Sequence, residues 1–168
     1  NQWLSVKYAA HTFEVDFIEA GNGAVVVDLV TEVYVDAQTI ATARAELSSD
    51  DKAQYGRRVL TMAANQGKGW FAIMLGKKLD HQTILPDYIS EAIFFARPEL
   101  SKELFSNIFS YRMNKAHGAG ALKRASVEDA QIKLRQYRDG TMCLTDLKRF
   151  MSAVLPGDQV HRHLANVH

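Results

Sequence analysis

Apolar residues recur at intervals of three and four along most of this chain, and glycine or proline interrupts the pattern. Leu104, Phe105, Ile108 and Phe109 form one stripe, Trp70, Phe71, Met74 and Leu75 a second, and Ile89, Ala92, Ile93 and Ala96 a third. A spacing near 3.6 aligns side chains on one face of a helix, whereas a strand aligns every second residue. The chain must therefore pack helices against one another. The reading is a mainly α protein with a short β element.

The stops and starts divide the pattern into segments. Trp3-Leu4-Ser5-Val6 alternates and reads as the short strand. Thr12 caps a helix whose first turn holds Glu14 and Asp16, where the helix dipole favours acids, and Gly21-Asn22-Gly23 ends it. Ala24 to Val35 suits either class, because its valines favour strand while Val26, Leu29, Val30 and Val33 form a helical stripe; the stripe decides for helix. Helices follow at Ala37–Leu47, from Lys52 to Asn65 behind the cap cluster Ser48-Ser49-Asp50-Asp51, and from Trp70 to Leu79. Pro86-Asp87 opens another, which Arg97-Pro98 closes. The rest reads as helices from Glu99 to Lys115, Ser126 to Arg138 and Thr145 to Val154. The glycine-rich stretch Ala116 to Ala121 is the one internal boundary that composition suggests.

The chain has 168 residues, 47% hydrophobic and 23% charged, which suits one ordinary domain or two very small ones. No apolar run reaches the roughly 18 residues of a membrane span. Asn1-Gln2-Trp3 is no signal peptide and lacks an initiator Met, so a fragment or processed product is expected. The single cysteine, Cys143, cannot pair within the chain; its hydrophobic neighbours suggest a buried filler and its isolation a reducing, cytoplasmic setting. The net charge of +1 conceals an asymmetry: residues 1–51 carry nine acids and two bases, and the remainder ten acids and 18 bases. An acidic front suits a metal or a basic partner and a basic back suits phosphate, unless the halves face each other and cancel.

Glu14, Asp16 and Glu19 are hard oxygen donors of the kind magnesium or manganese takes. On a helix Glu14 and Asp16 point in nearly opposite directions, so one ion cannot hold both there; a negative first turn is the plainer role. Lys68, flanked by Gly67 and Gly69, can approach a phosphate closely, or lie solvated in a turn. Of the histidines, His11 lies beside the acids, His161 and His163 are two apart in a polar tail with His168, and none forms a metal-binding spacing. Arg97, Lys102, Arg112, Lys115, Lys123 and Arg124 form a basic set with Phe109 and Tyr111 among them. Such a set can track a DNA backbone or form the charged outer face of a helical hairpin.

Three segments together resemble a known family. Thr12-Phe13-Glu14-Val15-Asp16-Phe17-Ile18-Glu19-Ala20-Gly21-Asn22 is similar to the "T-L/F-E-x-D-L-x-x-A-G-N" stretch of OLD-family (overcoming lysogenization defect) nucleases. Gly67-Lys68-Gly69-Trp70-Phe71-Ala72-Ile73-Met74-Leu75 resembles that family's "K-G-x-F-A-x-x-L" helix, and Leu85-Pro86-Asp87-Tyr88-Ile89-Ser90-Glu91-Ala92-Ile93 its "x-P-x-Y-I-x-x-A-I" segment. The likeness spans residues 1–97.

What the resemblance implies is a Toprim fragment. Residues 1–97 would be the C-terminal part of an α/β Toprim nuclease domain and residues 98–168 a helical C-terminal extension. OLD-family proteins join an ATPase to a Toprim nuclease, and some act in antiviral (phage) defence. Glu14 would match the family's acidic metal ligand, Thr12 a neighbouring oxygen, and Lys68 the lysine that stabilises the transition state. The cofactor would be Mg2+ or Mn2+ in a two-metal site shared with upstream residues that this sequence lacks, since it has no "G-x-T-E" glutamate and no Asp-x-Asp pair. The expected partners are DNA and an upstream Toprim and ATPase segment or chain, with the intact protein a homo-oligomer and no membrane involved. From another class comes a helical protein-interaction module without chemistry, docking through Phe94, Phe95, Phe105 and Phe109. A sequence-independent DNA-binding domain is a third reading.

Overall fold

A computed structural model describes residues 4–96, 101–158 and 160–161. Among these residues every regular element is helical. The expected strand at Trp3 to Val6 is corrected over its described part: Leu4 to Ala10 is neither helix nor strand. A strand needs a neighbour to take its backbone hydrogen bonds, and no described residue offers one. No described helix is long and apolar enough to cross a membrane. The chain divides into two compact units, residues 1–95 and 96–168.

In the first unit, α1 (Phe13–Phe17) runs into a π-helical turn (Ile18–Asn22), then α2 (Gly23–Val27) and α3 (Val30–Val33). The valine-rich stretch thus resolves as two short helices. Gly21 does not end the helix outright; its φ of 107° kinks it, a conformation that glycine adopts without steric cost. Helices α4 (Ala37–Leu47), α5 (Lys52–Gln66), α6 (Lys68–Lys78) and α7 (Asp87–Ala96) follow. Asp51 caps α5 by accepting from Ala53 N at 2.9 Å, replacing a bond the first turn cannot make within the helix.

Helix α5 is the centre of this unit, packing against α1, α4 and α6. Gly56, Val59, Met62 and Ala63 share its buried face. The small face lets α1 come close: a Cβ on Gly56 would lie 3.7 Å from Val15 Cγ2. Around it, Phe17, Val26, Leu29, Val30, Phe71 and Leu75 complete the core. Burial of each larger side chain contributes about 2 kcal/mol, which holds helices of four or five residues that would not persist alone. Between α5 and α6, Gly67 has a φ of 83°; that turn sets Lys68 at the first position of α6.

The second unit contains α8 (Lys102–Gly118), α9 (Arg124–Arg138) and α10 (Leu144–Val154). Phe105, Phe109 and Met113 of α8 are buried together with Val127, Ala130, Leu134, Leu147 and Met151. Phe105 lies 4.9 Å from Phe109 and 5.8 Å from Tyr137 between ring centres. The glycine-rich break at Ala116 to Ala121 links α8 to α9 inside this unit and divides nothing. Cys143 corrects another expectation: it is exposed. It is the N-cap of α10, with Sγ 3.1 Å from Asp146 Oδ2, and a capping side chain turns outward toward the first-turn N–H groups.

Candidate functional site

The acids of the first helix and the lysine of α6 meet in the first unit. Thr12 precedes α1 with φ −87° and ψ 159°, and its carbonyl accepts from Val15 N and Asp16 N at 3.1 and 3.0 Å. Its hydroxyl oxygen is buried and has no hydrogen-bond partner among the described residues. Two residues on, Glu14 is buried, and its Oε1 lies 3.7 Å from Lys68 Nζ. The lysine side chain is 70% exposed and that of Glu14 9%. The turn at Gly67 and the start of α6 thus suspend a solvated ammonium over a fixed carboxylate.

Asp16 is also buried but serves a different circuit, because two residues along a helix rotate a side chain by about 200°. It accepts from His11 N at 3.1 Å and faces His11 Nδ1 at 3.0 Å. The same imidazole nitrogen lies 3.5 Å from Glu19 Oε2. The other oxygen of Glu19 receives the Tyr55 hydroxyl at 3.1 Å and pairs with Lys52. The hydrogen bond from Lys52 holds the Glu19 carboxyl below its ordinary 4.5. Burial, then the bond to Glu19, raises the Tyr55 phenol. His11, Asp16 and Glu19 are a group whose potential ligand atoms fall within 4.8 Å of one another. Their charge is already met by Lys52, Tyr55 and the His11 amide.

Tyr88 in α7 borders both circuits: burial first, then the charges of Asp16 and Glu14, push its phenol above 10.0. Asn22 holds the approach to that helix. Its amide donates to Phe17 O at 2.9 Å and Ile84 O at 2.7 Å, and its carbonyl accepts from Ile84 N at 2.8 Å. Sequence reasoning assigns no role to Lys52, Tyr55 or Tyr88, and reads Asn22 as a helix stop and the last residue of a motif, with no bonding partner. The run Gly21-Asn22 is the available signal, because glycine before a short amide marks a backbone turn that needs a local hydrogen-bonding side chain.

The basic set is not a single patch of free cations. Arg112 makes a two-pronged bond to Asp158, with Nε–Oδ1 at 3.1 Å and Nη2–Oδ2 at 2.8 Å. Both side chains are largely buried, at 13% and 14% exposure, so Arg112 is a structural tie and not a phosphate contact. Arg124 pairs with Glu128 at 3.0 Å on an exposed face. Lys102 and Lys115 are exposed, each 5.5 Å from the ring centre of Tyr137 and Tyr111 respectively. Lys123 is exposed before α9. Arg97, His163 and His168 lie outside the described residues. Phe105 and Phe109 are core residues, which removes them from the docking surface considered above.

The chain matches no family model, no curated protein and no solved structure.

Proposed function

We propose that this chain is the C-terminal part of the catalytic domain of an OLD-like, divalent-metal-dependent DNA endonuclease, with a helical extension that contacts DNA. The observation that carries the reading is the approach of Lys68 Nζ to within 3.7 Å of the buried Glu14 carboxylate. The two residues stand in separate motifs, and each suits a complementary part of one reaction.

The donor chemistry fits a hard cation in part. Glu14 offers a carboxylate and Thr12 a buried hydroxyl without a partner among the described residues. Magnesium takes six oxygens, so upstream residues and water would complete the set. A bound ion of this kind supplies an activated water and screens the leaving oxygen. Lys68 acts separately, since its exposed ammonium can swing from Glu14 to a scissile phosphate and offset the charge that develops there. His11 steadies Asp16, and Asn22 steadies the segment leading to Tyr88. Lys102, Lys115, Lys123 and Arg124 are the cations available to a DNA backbone, and ATPase coupling, self-association and a part in phage defence belong to the same proposal.

The test joins the chain to its upstream part and follows Mn2+-dependent nicking of supercoiled DNA. Glu14→Gln and Lys68→Ala should each lower the rate about 100-fold or more while tryptophan fluorescence stays native. Undiminished nicking by both folded variants refutes the assignment.

A further inference from the structure

Helix α6 is held to the core by Phe71 and Leu75 and turns a broad face to water. Residues four apart on a helix form ridges, and here two ridges lie side by side: Lys68, Ala72 and Gly76, then Gly69, Ile73 and Lys77. All six residues are exposed. The two lysines stand at opposite ends of the face, about 14 Å apart along the axis at about 1.5 Å per residue. The surface between them is nearly bare. A Cβ on Gly69 or Gly76 would meet nothing within 4 Å, and Ile73, 64% exposed, is its one large apolar side chain. The charge is one-sided as well: from Lys52 to Leu79 the sequence holds six bases and no acid. Lys52 and Arg58 are taken up by Glu19 and Glu46, and Lys68 stands over Glu14. Lys77 and Lys78 are exposed and have no ion pair among the described residues; Lys77 reaches the Met74 sulfur at 3.7 Å.

We infer that this face of α6 carries the sugar–phosphate backbone of duplex DNA, with Lys77 and Lys78 taking phosphates beyond the one that Lys68 meets. The inference rests on the reading of Lys68 given above, and it assigns a DNA contact to the first unit, separate from Lys102, Lys115, Lys123 and Arg124. Phosphates of one strand recur about every 3.4 Å of duplex axis, so a strand that follows α6 sets about four of them between the two ends of the face. A scissile phosphate at Lys68 thus brings its neighbours onto the helix that starts there. Those neighbours meet no carboxylate on this helix, and glycine and alanine let a backbone come close because little or no side chain stands between. A protein partner suits the face less well. The centre of a protein interface is built from several large apolar side chains, whereas Ile73 is one such residue standing alone, which is ordinary for a surface.

Fluorescence anisotropy of a labelled duplex of about 20 base pairs, titrated in EDTA with the 168-residue chain over a range of salt, tests this. Lys77→Gln with Lys78→Gln should lower the slope of log affinity against log salt by about 2, close to 1 for each lost phosphate contact. Ala72→Glu, which sets a carboxylate midway between the lysines, should weaken binding at least about tenfold at low salt. Both variants should keep the native urea midpoint by tryptophan fluorescence. Absence of duplex binding by the parent chain overturns the inference, as do slopes and affinities that both folded variants leave unchanged. Loss of binding to a poly-glutamate peptide with duplex binding intact also overturns it and assigns the face to an acidic protein segment. Nicking is scored separately by the assay above: a duplex held through α6 but never cut defeats the endonuclease reading alone, and cutting with unchanged slopes defeats the α6 contact alone.

Discussion

Replacing Asn22 with alanine probes the joint between the π-helical turn and the segment before α7. Asn22 is 4% exposed and makes three bonds of 2.7 to 2.9 Å, two of them to the backbone of Ile84. Asn22→Ala removes all three and leaves Ile84 N–H and two carbonyls without their partner. At about 1 kcal/mol for each bond, the loss is about 3 kcal/mol, a large fraction of the roughly 5–15 kcal/mol that typically stabilises a domain. Both tryptophans, Trp3 and Trp70, fall within residues 1–95, so their fluorescence in urea reads this unit alone. With a slope of about 1.5–2 kcal/mol per molar, the midpoint should fall by about 1.5–2 M. Asn22→Asp should do no better, since it keeps the acceptor for Ile84 N but sets carboxylate oxygens against two carbonyls. A midpoint shift under about 0.3 M for Asn22→Ala would show that the clamp contributes little and that packing of Ile84 holds the segment.

Further predictions concern charge. Arg112→Ala should destabilise the second unit by about 2–3 kcal/mol, because it strands the largely buried Asp158 carboxylate, and under the proposed DNA contact it should leave the salt dependence of duplex binding unchanged. Lys123→Ala should do the reverse, holding stability and lowering the slope of log affinity against log salt by about 1. A reduced slope for Arg112→Ala contradicts its assignment as a structural tie. Glu19 and Glu46 titrate below their ordinary 4.5, chiefly through hydrogen bonds from Lys52 and Arg58. A carboxyl with a lowered folded value stabilises the fold above its unfolded value and loses that contribution as pH falls through the folded one. The urea midpoint of the first unit should therefore drop below pH 4.5, and Lys52→Met with Arg58→Met should flatten the drop; an unchanged profile removes these pairs from the acid response.

The helices are legible because burial imposes a period that a linear sequence displays, and because Asp51 and Pro86 mark their starts. Lys68 and Glu14 are legible as residue types within short motifs. Their surroundings are not. His11 meets Asp16 five residues away, Asn22 meets Ile84 at 62, and Arg112 meets Asp158 at 46; the longer pairings depend on how helices stack, which periodicity does not encode. The strand read at Trp3 to Val6 fails over its described part for a related reason, since alternation declares a tendency but only a neighbouring edge among the described residues could complete it. Cys143 misleads because apolar neighbours in sequence say nothing about which way a cap residue turns.

Residues 1–95 and 96–168 each enclose their own hydrophobic interior, and this bears on genetics. Under the proposed function, damaging substitutions should sort into two classes, one collapsing the carboxylate–lysine centre and the other weakening the proposed DNA contact, with few alleles doing both. A laboratory could then express either half alone, or trim residues 96–168 away, without rebuilding the interior of the other.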